Sequence, residues 1–202
     1  DCNFKDYAYP IFLNDSQHSD ILSNTIVTPS TGSILLENGS YVNVLYNVMD
    51  TGSTRGICFS TNANYANVSY NNLTGFHGVY SSAQLHSTFN NNRIVCPGIS
   101  SEAGINIQGV GNNVTIANNY IEKFYYGLFV NIQNSFIYNN IVYDGDRAGI
   151  SVRGVGNNNN IYNNTASFYS ASWPYSGIVV STALNKIHDN TVYKTLIGMY
   201  VF

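Results

Sequence analysis

The stretch that decides the fold contains Ile116-Ala-Asn-Asn-Tyr-Ile121 and Gly127-Leu-Phe-Val130, followed by Ile137-Tyr-Asn-Asn-Ile-Val142 and Gly149-Ile-Ser-Val152. Each half holds the same two phrases. The first is an apolar residue, two residues, an Asn, one residue and a second apolar or small residue. The second is a Gly that opens a short apolar run. Repetition of structural units at a fixed period of about 20 to 50 residues indicates a solenoid.

Both phrases extend through the whole chain. The Asn phrase has eight copies, anchored at Asn24, Asn47, Asn71, Asn92, Asn119, Asn140, Asn164 and Asn190. The Gly phrase also has eight copies, opened by Gly32, Gly56, Gly78, Gly104, Gly127, Gly149, Gly177 and Gly198. The two phrases advance together by about 24 residues per copy.

The pattern within each copy predicts strands, because apolar residues recur at alternate positions and helical spacing is absent. Successive strands can pair in parallel only if the chain completes a turn between them. We therefore predict an all-β fold, a single-stranded right-handed parallel β-helix of about nine rungs, with Cys2-Asn3-Phe4 in a degenerate first rung. The repeated Asn is expected at a corner, where stacked side chains form an internal ladder. The opening Gly is expected to give either a left-handed corner or close packing.

These phrases resemble the right-handed β-helix families, which include pectin-lyase-like lyases, polygalacturonase-like hydrolases, viral tailspikes and archaeal surface proteins. The resemblance implies the fold but no single chemistry, since this architecture carries enzymes, binding proteins and passive spacers. It also implies that the lyases and hydrolases use clustered Asp with Arg or Lys, or an Asp pair with a His-Gly element. Here His77-Gly78 has no Asp cluster near it in the sequence.

Composition narrows the class of protein. We expect residues 1–202 to form one domain, and charged residues make up only 9% of it, against roughly 25% in ordinary soluble domains. A net charge of -3 without a basic stripe argues against a nucleic-acid partner, and no apolar run is long enough to span a membrane. Both ends break off within a rung. We therefore expect a segment of a longer chain, or a homo-oligomer whose neighbours cover the ends.

Six Asn-x-Ser/Thr sequons, the acceptor motif of N-glycosylation, predict an extracellular protein, or one at a cell or virion surface, that carries N-glycans. Their asparagines are Asn14, Asn38, Asn67, Asn72, Asn113 and Asn163. Cysteines and histidines show no metal-ligand spacing, so neither a metal nor another cofactor is predicted. Cys58 and Cys96 lie about two rungs apart, and no disulfide is expected between them.

Two long connections, 94–104 and 166–177, predict a groove, because solenoids place binding sites on variable loops. They stand about three rungs apart, roughly 14 Å. Aromatic faces stack on sugar rings and carboxylates bond hydroxyl groups, so the groove favours a glycan or polysaccharide, neutral or weakly charged. The candidate ligand-binding residues are Tyr125, Tyr126, Asp144, Asp146, Arg147, Trp173 and Tyr175, with Phe168 on the same wall.

Two functions remain open. The first is a non-enzymatic rod, a surface, spike or filament segment whose groove can hold a glycan. The second is a polysaccharide lyase or glycoside hydrolase, in which one acid protonates the leaving oxygen and another acts as nucleophile or base. Its candidate catalytic residues are Glu102, Asp144, Asp146 and Arg147. In this arrangement Asp144 and Asp146 share a strand face, and Glu122 stacks one rung below.

The outward positions of the Gly phrase contain no acid, which argues against catalysis there. They are Cys58, Tyr80, Asn106, Phe129, Ser151, Val179 and Tyr200. The apolar members of this set predict a side by which rods associate into a trimer or filament.

Overall fold

The computed structural model describes residues 2–27, 29, 31–61, 63–82, 84–98, 100–154, 157–168 and 176–202, with only the backbone described at positions 61 and 63. These residues form strands and turns without any helix. The strands are β1 Asn3–Lys5, β2 Ile11–Asn14, β3 Asp20–Leu22, β4 Thr25–Val27, β5 Gly32–Glu37, β6 Asn43–Leu45, β7 Val48–Thr61, β8 Ala63–Asn64, β9 Asn67–Ser69, β10 Asn72–Ser81, β11 Gln84–Leu85, β12 Thr88–Asn90, β13 Arg93–Val95, β14 Ala103–Asn112, β15 Thr115–Ala117, β16 Tyr120–Glu122, β17 Tyr126–Gln133, β18 Phe136–Tyr138, β19 Ile141–Gly145, β20 Ala148–Val152, β21 Asn160–Tyr162, β22 Thr165–Phe168, β23 Ser176–Val180, β24 Lys186–His188, β25 Thr191–Tyr193 and β26 Ile197–Val201.

Parallel pairing arranges these strands on three faces of a solenoid of about eight turns, with about 23 residues per turn. The asparagine face begins after each anchor Asn and contains β1, β4, the start of β7 and β10, and β13, β16, β19, β22 and β25. The glycine face contains β2, β5, the end of β7 and β10, and β14, β17, β20, β23 and β26. The back face is the separate sheet β3, β6, β9, β12, β15, β18, β21 and β24. The predicted β-helix is confirmed, including a first partial copy in which Phe4 pairs with Ile26.

Inward residues of the three faces form one continuous core. Each turn contributes the same positions, so apolar side chains stack on their equivalents and leave no more than 1% of their surface exposed. On the asparagine face these are Ile26, Met49, Leu73, Ile94, Ile121, Val142 and Ala166. On the glycine face they are Ile34, Ile57, Val79, Ile105, Leu128, Ile150 and Ile178.

The anchor asparagines form the predicted ladder between the back face and the asparagine face. Asn119 is typical: its backbone N–H and its Nδ2 both donate to Oδ1 of Asn140, at 3.1 and 2.9 Å. Its Nδ2 also donates to the carbonyl oxygen of Phe89, at 2.9 Å. The same contacts recur from Asn24 to Asn190, so each amide closes a corner and joins three successive turns.

Left-handed backbone occurs one residue before the ladder, not at the ladder itself. Position 46 is Tyr and position 118 is Asn, with φ of 59° and 55°, and the other residues that precede an anchor adopt similar values. The anchor asparagines are absent from this left-handed set. The anchor therefore repeats because of its buried amide, and the tolerance of Asn for left-handed backbone does not explain it.

Close packing accounts for six of the eight repeated glycines, Gly56, Gly78, Gly104, Gly127, Gly149 and Gly177. Gly198 has open space around it, and Gly32 pairs with Arg55, one position earlier than predicted, so that Ser33 stands opposite Gly56. A Cβ atom at Gly127 would lie 2.3 Å from Cγ1 of Val142 and 2.6 Å from the carbonyl oxygen of Gly149. At Gly78 it would lie 2.0 Å from the carbonyl oxygen of Gly104. Neither Gly127 nor Gly78 has a positive φ. Of the two expectations for these glycines, close packing is the one that the structure supports.

A second, shorter ladder lies at the corner between the glycine face and the back face. The backbone N–H of Val114 donates to Oγ of Ser135, and that of Ser135 donates to Oδ1 of Asn159. Asn159 in turn donates to Oδ1 of Asn185 at 2.9 Å. This ladder leaves no repeated residue type in the sequence, because Ser, Asn, Ala and Val all occupy its positions. Its rungs are partly polar and partly apolar.

Candidate functional site

The outward side of the glycine face carries two parallel rows of stacked residues. Paired residues of adjacent turns lie about 4.8 Å apart, so each row is a continuous strip. The first row is Gly32, Arg55, His77, Ala103, Tyr126, Ala148, Ser176 and Ile197. The second row is Phe12, Leu35, Cys58, Tyr80, Asn106, Phe129, Ser151, Val179 and Tyr200.

The sizes of these residues divide the face into two depressions. Tyr126 and Phe129 form a ridge, with ring centroids 4.8 Å apart. On one side of the ridge the small Ala103 leaves a cavity of about 180 Å³, the histidine pocket, whose lining is Arg55, His77, Gly78, Val79, Tyr80, Glu102, Ala103, Asn106 and Gln108. On the other side a cavity of about 280 Å³ opens over small residues. This arginine pocket is lined by Arg147, Ala148, Arg153, Ser176, Val179, Ser181, Tyr200 and Phe202.

Two guanidinium groups flank the Tyr126 ring at the edge of the arginine pocket. The Arg147 guanidinium carbon lies 5.7 Å from the ring centroid of Tyr126 and 5.6 Å from that of Tyr125. The Arg153 guanidinium carbon lies 5.6 Å from Tyr126 and 5.3 Å from Phe129. Such cation–π contacts hold the guanidinium planes in place and leave part of their N–H groups for a ligand.

Hydrogen bonds fix the same arginines further. Nη1 of Arg147 donates to the Tyr125 hydroxyl at 3.1 Å, and this bond is the main cause that raises the pKa of Arg147 above its usual value. Nε of Arg153 donates to Oγ of Ser151 at 2.8 Å. Both guanidinium groups are therefore held in fixed positions at the edge of the pocket.

Among the residues that the structure describes, no carboxylate pairs with an arginine of the glycine face. In the part of the chain that the structure describes, the close ion pairs are Lys123 with Glu122 and His188 with Asp189. Arg55 instead lies 4.2 Å above the Tyr80 ring and donates weakly to Sγ of Cys58 at 3.8 Å. A fixed guanidinium that lacks a carboxylate is a ready site for an anionic ligand group.

The histidine pocket combines opposite charges and neutral polar groups. Burial lowers the pKa of His77, Glu102 raises it in opposition, and Arg55 lowers it further. Asn106 is only 8% exposed, and its Oδ1 has no hydrogen-bond partner in the described residues. The wall of the pocket therefore contains a buried oxygen without a hydrogen-bond partner. Positively charged, negatively charged and neutral polar side chains line the same pocket.

Of the predicted site residues, the structure brings together Tyr125, Tyr126 and Arg147. Asp144 has a left-handed φ of 58°, which interrupts the strand before Asp146. The expected shared strand face of the two aspartates is therefore not formed. Glu122 pairs with Tyr143 in the next turn, so it does not stack below the aspartates as expected. Glu102 lines the histidine pocket, separate from the arginine pocket.

The second wall of the predicted groove is only partly described. Trp173 and Tyr175 lie outside the described residues, as does most of the connection 166–177. Phe168 is 2% exposed, so the expectation that it lines the groove is wrong. Its ring packs toward Gly145, where a Cβ would lie 3.1 Å from it.

The outward side that the sequence predicts to be apolar is only partly so, although Tyr200 is exposed as expected. Val179 is only 8% exposed, and the Arg55 and Arg153 guanidinium groups lie over the rings of Tyr80 and Phe129. The second row is thus a mixed cationic and aromatic surface.

Sequon asparagines and cysteines lie away from both pockets, apart from Cys58 beside Arg55. Five sequon asparagines are exposed and Asn67 is half-buried. All three cysteines are free thiols, and burial raises the pKa of Cys58 and Cys96.

Within the described ranges, no helix has the length and hydrophobicity that a membrane span requires.

Fold and surface together define a parallel β-solenoid with one outward face that carries stacked arginines and aromatic rings. The chain matches the model of the right-handed β-helix region over residues 61–201, which is 141 of its 202 residues. It therefore belongs to the right-handed β-helix family. No curated protein and no solved structure matches it significantly. This fold is compatible with structural or carbohydrate-related roles.

Proposed function

We propose that this protein is an extracellular, N-glycosylated β-helix rod that binds an elongated acidic glycan along its glycine face. The observation that carries the proposal is the placement of three of the four arginines of the chain. Arg55, Arg147 and Arg153 all lie on this face, against aromatic rings and without a carboxylate partner in the described residues.

Guanidinium groups match the geometry of carboxylate and sulfate oxygens, to which they can donate two parallel hydrogen bonds. Exposed ring faces next to them can stack on the C–H faces of sugar rings. Arg55 and Arg147 stand four turns apart, about 19 Å along the rod. An elongated polymer with repeated acidic groups fits this spacing better than a single small ligand. The arginines therefore favour an acidic glycan over the neutral or weakly charged one expected from sequence.

The sequons support the extracellular part of the proposal. None of the six asparagines lines either pocket, so glycans attached there would leave the binding face open. Intact-mass measurement of protein from its native source, with and without glycosidase, tests this part. Six unmodified sequons on an intracellular protein would contradict it.

Binding to a panel of acidic and neutral polysaccharides tests the main proposal. We expect saturable binding to at least one acidic polymer that weakens as salt rises, since salt screens exposed charges. The double variant Arg147→Gln/Arg153→Gln should bind at least about tenfold more weakly, because hydrogen bonds to charged groups contribute about 1.5 kcal/mol or more each.

A matched control is Lys186→Gln, which removes one positive charge from the back-face strand β24. It should bind like the wild type. Equal binding of neutral and acidic polymers, or an unchanged affinity in the double arginine variant, would contradict the proposal.

Catalysis by Asp144, Asp146 and Glu102 has weaker support, because the strand alternation that would align the two aspartates is broken. Incubation of each bound polymer with the protein, followed by assay for reducing ends and unsaturated products, tests that alternative. Product formation abolished by Asp146→Asn in a folded protein would establish it.

A further inference from the structure

We infer that the arginine pocket is the subsite for one hexuronate unit of the glycan, and that it recognises the carboxylate together with the sugar ring. This inference rests on the proposed glycan-binding function, for which it names the acidic sugar. The pocket then selects a carboxylate carried directly on a pyranose ring over a sulfate ester or a neutral sugar.

Positive charge is the first feature that selects this ligand. Arg147 and Arg153 both line the pocket, and no Asp or Glu side chain is among its described lining residues. Their guanidinium carbons lie 5.7 and 5.6 Å from the ring centroid of Tyr126, so both groups stand at the same wall. A carboxylate placed at this wall would meet two cations that have no carboxylate partner in the described residues.

Both guanidinium groups retain donors for a ligand, because each has five N–H bonds. Among the described contacts, Arg147 uses one N–H for the Tyr125 hydroxyl. Arg153 uses two, for Oγ of Ser151 and for the Tyr126 hydroxyl at 3.4 Å. Arg147 is exposed and Arg153 is half-buried, so a ligand in the pocket can reach the remaining N–H groups.

The pocket has room for one sugar ring. Its volume of about 280 Å³ lies just below the range of roughly 300–1,000 Å³ for sites of drug-sized ligands, which is too small for a longer stretch of glycan. Along the first row, Tyr126 and Ile197 stand three turns apart, with the small Ala148 and Ser176 between them. The space over these small residues extends about 10 Å along the rod, enough for a single pyranose with its substituents.

The remaining lining suits the two kinds of surface that a sugar ring presents. Tyr200 is 49% exposed and stands two turns beyond Ser151, the residue that holds Arg153. Its ring can stack on the C–H face of a pyranose whose acid group points to the arginines. Ser181 lines the same pocket with a half-buried hydroxyl, which can accept a hydrogen bond from a ring hydroxyl.

Geometry favours a carboxylate over a sulfate ester. The carboxyl carbon of a hexuronate is bonded directly to the ring, so a ring between Tyr200 and the arginines keeps its acid at the guanidinium groups. In a sulfate ester at least one oxygen intervenes, which moves the ring away from them. A planar carboxylate can also accept two parallel hydrogen bonds from one guanidinium, and the second guanidinium is then left for a hydroxyl or glycosidic oxygen.

The experiment titrates the protein with glucuronate and galacturonate and follows the Nε–Hε signal of Arg153 by NMR. We expect at least one hexuronate to shift this signal saturably, with a millimolar dissociation constant. The comparison probes are glucose, galactose, glucose 6-sulfate and acetate, each of which lacks the acid, the ring or their direct connection. Each should bind about fivefold more weakly or worse, because it forgoes a charged hydrogen bond or the stacking contact.

Variants identify the residues that bind. Arg147→Gln and Arg153→Gln should each weaken hexuronate binding about tenfold, with the other arginine as reporter. Tyr200→Ala should weaken it about fivefold, whereas Tyr200→Phe keeps the ring and should bind like the wild type. Arg93→Gln removes the same charge from the asparagine face and is the matched control, with no effect expected.

Arg55→Gln separates this inference from the proposed function. Arg55 lines the histidine pocket, so its substitution should weaken the binding of acidic polymers but leave hexuronate binding at Arg153 unchanged. If an acidic polymer binds through the arginines but neither hexuronate does, this inference fails and the proposed function stands. If a hexuronate binds in the arginine pocket but no acidic polymer binds, the proposed function fails and the pocket assignment stands.

Three results would overturn the inference. The first is no saturable shift with either hexuronate at about 100 mM, well above the millimolar range of weak sites. The second is a comparison probe that binds as tightly as the better hexuronate, since acetate or glucose 6-sulfate would then define a general anion site. The third is hexuronate binding that is unchanged in Tyr200→Ala, or unchanged in both single arginine variants.

Discussion

Replacement of Asn119 by Leu tests the ladder that holds the turns together. Asn119 accepts two hydrogen bonds at Oδ1, from the backbone N–H and the Nδ2 of Asn92, both at 3.0 Å. Its Nδ2 donates to the buried carbonyl oxygen of Phe89. Leu has nearly the same shape but no polar atoms. The substitution therefore removes the partner of two buried groups, the Asn92 backbone N–H and the Phe89 carbonyl oxygen, while Asn92 Nδ2 keeps its bond to the Val68 carbonyl oxygen at 2.8 Å.

Each orphaned buried group costs about 1 kcal/mol at the low end, so the loss in free energy of unfolding should reach at least about 2 kcal/mol. Asn190→Leu removes equivalent bonds, but the Asn164 and Ile161 groups it serves are only partly buried in those contacts. Water can replace part of what is lost, and about 1 kcal/mol is expected there.

Urea denaturation followed by circular dichroism measures both losses as shifts of the midpoint at constant slope. The matched control is Asn72→Leu, at an exposed strand position next to a ladder residue, where a change within about 0.5 kcal/mol is expected. The reasoning is refuted if Asn119→Leu costs no more than Asn72→Leu, since the ladder bonds would then contribute nothing.

Three further predictions concern packing, pH and thiol chemistry. Gly127→Ala should lower stability by about 1–3 kcal/mol through overlap with the core, whereas Gly198→Ala, with nothing within 4 Å of its Cβ, should change little in the same urea assay. Burial lowers the pKa of His77 below 6.5, so the unfolded chain binds this proton at higher pH than the folded chain does. Stability should therefore fall as pH drops below about 6.5. The urea midpoint should change less between about pH 7 and pH 5 in His77→Gln than in the wild type. An equal change in both proteins would contradict this account. Alkylation of the native protein at neutral pH should label Cys2 first and the two buried thiols only after unfolding, as mass spectrometry of digested samples would show.

The repeated Asn and Gly phrases predicted the fold because their positions are those that the solenoid constrains most. A buried amide must pair at every corner, and Gly127 must lack a Cβ where Val142 approaches it. Both demands fix a residue type, and the type then recurs in sequence. The shorter ladder through Ser135 and Asn159 escaped notice because its corner tolerates several residue types.

The site was harder to predict because its residues are neighbours across turns and share no residue type. Arg55 and His77 pair in adjacent turns, although 21 residues lie between them in the chain. The Arg153 guanidinium reaches the ring of Tyr126 from the adjacent turn, although Tyr126 pairs with Ala148. Alignment of every Gly phrase at both outward positions would have placed Arg55, His77 and Tyr126 in one row. The alternation of apolar residues points only to the second row, and the aspartates that suggested a catalytic site do not alternate on one strand.

The central claim is that stacked arginines on the glycine face bind an acidic glycan, and NMR of the arginine Nε–Hε groups tests it most directly. The chain has four arginines, so the spectrum holds four such signals. Arg93 also lies near an aromatic ring, 5.8 Å from Tyr120, but on the asparagine face, and it serves as an internal control. During titration with the acidic oligosaccharide that binds best, the signals of Arg55, Arg147 and Arg153 should shift together while that of Arg93 stays in place. A shift confined to Arg93, or equal shifts of all four arginines, would contradict the account.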